Sequence, residues 1–338
     1  MNGEKECRTR NYSFDLLRIF ACFMVILNHT NSEIFLNFFP SLSGRVSLII
    51  FILCKTGVPI FFMLSGALLL GREESYRIVY GKRCVRIVVA LLLFTFLYYL
   101  LLYRQSNNPI EMIKGIISSP ILVAFWYLYT YLGLLIMLPF LRKMIQSFKQ
   151  NDFCFLLGVL FLINVVYPFL TTLQLCPPLS GYFTTPLFTG PVFYFLLGYF
   201  LKFYVLPWAD RNRKVICLCC VVGILGFVAI FYGITAREYY DTGSFALALD
   251  NVYNLPIVAE SVSIFILACI MFDKSLFPDF LKKGLVYISS ATFGVYLLHM
   301  VVIRKFSFIL DGLKMHLNDL LAILIMDLFV FIICTLIT

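Results

Sequence analysis

The first apolar run of the chain holds residues that rarely enter a membrane. It reads Asn11-Tyr-Ser-Phe-Asp15-Leu-Leu-Arg18-Ile-Phe-Ala-Cys-Phe-Met-Val-Ile-Leu-Asn28-His29-Thr30. Arg18 and His29 are eleven positions apart. On a helix that is about 20° past three whole turns, so both project from one face, with a rise of about 16 Å between them. Asp15 lies one turn before Arg18 and is spaced to pair with it. A neutral imidazole is a competent general base near pH 7, which makes His29 a candidate for proton abstraction. Arg83 and Arg86, at i and i+3, share a face near the start of another run. Two guanidiniums so placed suit a phosphate-bearing ligand, although basic residues also flank spans for reasons of orientation alone.

Weaker signals lie elsewhere. The stretch Phe125-Trp126-Tyr127-Leu128-Tyr129 falls near a span end, where an interfacial aromatic belt is the simplest reading. Tyr296 and His299, one turn apart, could line a polar cavity or hydrogen-bond between helices. Glu260 and Asp327 also fall within spans. Alone they suggest a proton- or cation-coupled transporter as readily as an enzyme. The chain has no Gly-rich dinucleotide fingerprint, P-loop, GxSxG elbow or HExxH. Cys217, Cys219 and Cys220 lack a partner pair at zinc spacing, so no metal is expected.

The elements that must position these residues follow from composition. Of 338 residues, 61% are hydrophobic and only 13% charged, and mean hydropathy is +0.93. A water-soluble domain is about 25% charged and could not hide this much apolar surface. The composition excludes disorder, coiled coil and nucleic-acid-binding modules. A spanning helix needs about 20 mostly apolar residues. Such runs lie near 13–34, 47–70, 84–103, 120–140, 153–172, 185–205, 214–234, 255–272, 286–303 and 318–338. The expected fold is an all-α polytopic bundle of about ten transmembrane helices, with residues 1–12 as a polar tail and 13–338 as one membrane domain. The first run lacks a small-residue cleavage site and is not expected to be a removable signal peptide. With the N-terminus placed in the cytoplasm, 18 of the 27 Lys and Arg fall in inside connectors and 7 in outside ones. That bias predicts both termini cytoplasmic in a multi-pass cell-membrane protein.

These residues resemble the acyltransferase-3 family of bacterial integral membrane O-acyltransferases. The Arg18-x10-His29 pair matches the family's hallmark in the first span, and Asp15-Leu-Leu-Arg18 matches its D-x-x-R lead-in. Arg83-x-x-Arg86 resembles the R-x-x-R that opens the third span. Phe61-Phe62-Met63-Leu64-Ser65-Gly66 resembles an F-F-x-x-S-G stretch in the second. Phe125-Trp126-Tyr127 and Gly294-Val-Tyr296-Leu-Leu-His299 are similar less specifically.

The resemblance implies transfer of an acetyl or other acyl group from cytosolic acetyl-CoA or acyl-CoA to a hydroxyl of a cell-envelope glycan or its lipid-linked precursor. His29 would be the general base, and Arg18, Arg83 and Arg86 would hold the donor's phosphates. Asp15, Ser65, Trp126, Tyr127, Tyr296 and His299 would support the site. A bacterial cytoplasmic membrane location is implied, no nucleic-acid partner is expected, and a homo-oligomer stays open. Some relatives carry a hydrolase-like domain outside the membrane, which is not expected here. The alternatives are a transporter for a small polar substrate and a non-catalytic partner in polysaccharide export. The paired arginines favour the enzyme, because a coenzyme A donor needs an anion site and a sugar transporter does not.

Overall fold

The computed structural model describes residues 10–102, 123–177, 190–245, 251–272 and 278–338. Among these the chain is helical and shows no strand. The helices are α1 (Tyr12–Thr30), α2 (Ser32–Phe38), α3 (Leu42–Cys54), α4 (Gly57–Leu69), α5 (Tyr76–Leu101), α6 (Trp126–Ser147), α7 (Gln150–Thr172), α8 (Gly190–Arg211), α9 (Arg213–Thr242), α10 (Leu255–Met271), α11 (Asp279–Lys305), α12 (Ser307–Lys314) and α13 (Asp319–Ile337). Among the described residues, nine helical rods are long and apolar enough to cross a membrane, counting α1–α2 and α3–α4 as one rod each. The shorter α10, at 17 residues, lies where the eighth span is expected. At about 1.5 Å per residue it is at the lower limit of a crossing length. The protein is a multi-pass membrane bundle.

Lipid and protein faces separate as the bilayer requires. The apolar window of α9 is only 11% buried, and Leu218, Val222 and Leu225 stand well exposed on it. In water such a surface would aggregate; in lipid it is solvated. By contrast α1 is enclosed, packing against α3, α4, α10, α11 and α13. Helices α4 and α8 make the tightest crossing, back to back through Gly66 and Gly198.

Several spans depart from straight helices. Asn11 caps α1 by accepting from the Ser13 N–H at 3.0 Å. At its other end α1 yields to α2 at Asn31. The Asn31 side-chain amide donates to Ser47 O at 2.7 Å, and Ser47 Oγ donates back to Asn31 O. These bonds absorb the main-chain break inside the bundle. The second span starts at Leu42, earlier than expected, and is interrupted at Lys55 and Thr56. The third starts at Tyr76 rather than 84. Arg83 and Arg86 therefore lie inside the helix, with Arg83 in a wide π-type turn, Val79–Cys84. Such turns are frequent at functional sites. Parts of the expected fourth and sixth spans, residues 120–122 and 185–189, fall outside the described residues.

Candidate active site

The two ends of α1 open onto two cavities. The first, at the end where α1 begins, has a volume of about 540 Å³. Arg10, Asp15, Arg18, Arg72 and Lys202 border it, with Phe14 and Phe203 as apolar walls. It is cationic, with one acid among four bases. The second, at the far end, has about 400 Å³ and is lined by Asn28, His29, Lys55, Trp126, Tyr127 and Tyr296, among others. One helix face therefore presents a guanidinium to one cavity and an imidazole to the other, as the eleven-residue spacing predicts.

Asp15 pairs with Arg18 as its spacing predicts, and it has a second, closer partner in Arg10. Asp15 is 2% exposed and accepts from Arg10 twice, Nε at 2.7 Å and Nη2 at 3.0 Å, and from Ser289 Oγ at 2.6 Å. Arg18 Nη1 also donates to Asp15 Oδ1, at 3.4 Å. Arg10 enters from the polar tail just before the helix and takes the bidentate geometry that a planar fork and a carboxylate prefer. The Arg18 guanidinium is left turned toward the cavity.

Of the three arginines, Arg18 borders the first cavity, whereas Arg83 and Arg86 line neither. Arg83 is gripped by Glu74 from the preceding connector, Nε to Oε2 at 3.0 Å and Nη2 to Oε1 at 2.5 Å. Buried Arg142 binds the same carboxylate at 3.0 Å and donates to Leu69 O through Nε and Nη2. Arg86 lies over the ring of Phe293, 5.2 Å from its centre. The hydrogen bonds from Arg83, then those from Arg142, hold the Glu74 carboxyl down to about 2, against the pull of desolvation. A carboxyl whose value is depressed on folding stabilises the fold above its unfolded value, near 4.5, and loses that contribution as pH falls toward 2. Glu74→Gln is therefore expected to lower the melting temperature by a constant amount between pH 8 and about 5. The gap from wild type should close toward pH 2. Melting curves across pH check this, and a gap that persists unchanged at the acid end would refute it.

Between the arginines and the histidine runs a line of hydroxyl side chains. Ser65 sits beside the hydroxyls of Tyr127 and Tyr131. The two tyrosine rings stack, with centroids 5.7 Å apart. Tyr127 meets Tyr296 edge-on at 5.6 Å. Tyr296 contacts His299 at 5.8 Å, and His299 contacts His29 at 5.3 Å. Tyr296 donates its hydroxyl hydrogen to Ala124 O, which ties α11 to the turn before α6. The aromatic stretch at 125–129 is thus not an interfacial belt. Phe125 is fully buried, and Tyr127 packs on Phe61 and Phe62 inside the bundle.

The site residues expected from sequence lie on α1, α4, α5, α6 and α11: Asp15 and Arg18 border the first cavity, His29, Trp126, Tyr127 and Tyr296 the second, and Ser65, Arg83, Arg86 and His299 line neither. Sequence reasoning missed Arg10, Glu74, Tyr131, Arg142 and Lys202. Arg142 and Lys202 read as ordinary flanking charge, and nothing local distinguishes Tyr131 from other span tyrosines. Asn28, beside His29, faces the same cavity with a buried Oδ1 that has no partner among the described residues. Asp327 accepts from Thr30 Oγ1 at 2.9 Å, and both Glu260 oxygens are buried without a partner among the described residues. Neither acid lines either cavity.

A family model described as an acyltransferase domain matches residues 11–338, essentially the whole chain. The helical bundle and this match together define a membrane acyltransferase. The chain belongs to the acyltransferase-3 family. Searches of curated proteins and of solved structures returned no match.

Proposed function

We propose that this protein transfers an acyl group, acetyl in the first instance, from a cytosolic coenzyme A thioester to a hydroxyl of an extracytoplasmic glycan or lipid-linked glycan. The observation that carries the reading is the pair of cavities at opposite ends of α1, one cationic and bordered by Arg18, the other lined by His29. The cationic end faces the cytoplasm, in keeping with the excess of Lys and Arg in the connectors on that side. Arg18, Arg83 and Arg86 hold the donor's phosphates, with Lys202 at the rim. Phosphate binding by planar guanidiniums is charge-assisted and strong. The pantetheine arm runs inward past Ser65 and the stacked tyrosines and brings the thioester to His29.

The chemistry balances with one base. The acceptor hydroxyl gives its proton to His29 as its oxygen bonds to the thioester carbonyl carbon. The tetrahedral intermediate collapses with cleavage of the C–S bond. The departing thiolate takes the proton back from His29, leaving an ester and free coenzyme A. The Asn28 amide, in the same cavity, is placed to donate to the oxyanion, the position where a donor lowers the barrier most.

Calorimetry of acetyl-CoA binding to the protein in nanodiscs tests the donor side. Each charge-assisted hydrogen bond contributes about 1.5–3 kcal/mol, so Arg83→Ala with Arg86→Ala is expected to weaken binding about a hundredfold or more. Unchanged affinity in a folded double variant would overturn the phosphate role, and no binding by folded wild type would overturn the donor.

A further inference from the structure

We propose that His299 is the positioning residue of His29: its Nε2 accepts the N–H of the His29 imidazole and so decides which His29 nitrogen faces the cavity. The inference rests on His29 being the base. His299 is completely buried on α11. Its Nδ1 lies 2.6 Å from Tyr296 O. A carbonyl oxygen only accepts, so Nδ1 carries the hydrogen and Nε2 carries a lone pair. That Nε2 is buried with no partner among the described residues. A buried acceptor left unmatched is costly, and such an atom calls for a donor.

His29 is the ring beside it. The centroids are 5.3 Å apart and the planes inclined by 36°. This separation matches an N–H···N bond of about 2.9 Å plus a ring radius on each side. The bond is not made in this structure, where Nε2 has no partner among the described residues; forming it requires the His29 ring to reorient.

The acceptor is held still from outside. The Tyr98 hydroxyl donates to Leu297 O at 3.0 Å and accepts from Val301 N–H at 3.1 Å. It thereby bridges the i, i+4 main-chain groups on either side of His299. Tyr296 anchors the preceding turn to Ala124. His299 thus stands to His29 as an orienting group stands to a base in other acyl-transfer sites. When His29 takes the acceptor proton it has two N–H groups, one for His299 Nε2 and one for the reacting oxygen. His299 itself gives up no proton, because its Nδ1–H stays on the Tyr296 carbonyl.

The chain has three histidines, and His316 is exposed, so ¹⁵N-histidine spectra of the full protein in nanodiscs resolve the pair. In wild type, His29 is expected as a single tautomer and His299 as the Nδ1–H form. His299→Phe keeps a ring but no acceptor. It is expected to let His29 average between tautomers and to lower kcat about 10²-fold with KM unchanged. His299→Gln, whose side-chain carbonyl reaches the Nε2 position, should recover most of that loss. Tautomer averaging of His29 already in wild type would overturn the proposal, and that measurement needs no variant to fold. So would a His299→Phe variant with wild-type kcat, or a Gln variant no better than Phe. His29→Ala assayed alongside separates the two readings. If it is inactive while His299→Phe is fully active, only the positioning role fails.

Discussion

His29→Ala is expected to lower the rate of acyl transfer by about 10³-fold or more while leaving the protein inserted and able to bind donor. General-base catalysis is worth about 10²–10⁴-fold. His29 is the one imidazole that lines a cavity; His299 is sealed in the core and His316 lies on the surface. The donor's phosphates sit about 16 Å away along the helix, so removing the imidazole leaves the anion site intact. The split between transfer and binding is the informative part. Radiolabelled acetyl transfer from acetyl-CoA, with calorimetry on the same samples, reads both. Normal transfer in the variant would remove the base assignment. Loss of donor binding together with transfer would show that the change disturbs the fold instead. His29→Gln, which keeps a polar side chain, guards against that outcome.

The largest structural effect is expected at the crossing of α4 and α8. A Cβ built on Gly66 would stand 1.7 Å from Phe195 O, and one on Gly198 would stand 1.9 Å from Met63 O. Both obstacles are main-chain atoms, so no side chain can swing aside to make room. The two glycines face each other's helix and let the backbones touch, the way membrane helices gain packing where no hydrophobic force separates them from lipid. Either Gly66→Ala or Gly198→Ala must push the helices apart. The cost should reach or exceed the about 1–3 kcal/mol of ordinary overpacking. It should appear as a lowered melting temperature and poor recovery of monodisperse protein from detergent. The same crossing carries Ser65, whose place beside Tyr127 and Tyr131 depends on it, so transfer should fall as well. Wild-type melting behaviour in both alanine variants would show that the close approach is not needed.

The membrane class, the number of helical runs and the first helix face were legible because each depends on local pattern. Bilayer thickness sets the run length, and the helix period decides that Arg18 and His29 share a face. Family motifs carried Arg83, Arg86, Ser65 and the α11 pair. Three features needed the folded chain. Asp15 pairs with Arg18 as the spacing predicts, but the closer two-point grip of Arg10 from the tail is added by the fold. The 125–129 aromatics read as a belt, but the turn at Ala124 swings Tyr127 into the bundle. Glu74 sits in a short connector and carries no periodic signal, yet it joins Arg83, 9 residues on, to Arg142, 68 residues on. The sequence alone determined which groups lie on one helix and how far apart. Which of them meet across helices, with Glu74 between Arg83 and Arg142 and His299 beside His29, was decided only by tertiary packing. The reason is physical: side chains on different helices are related by crossing geometry, such as the Gly66–Gly198 contact, and no spacing along the chain encodes that.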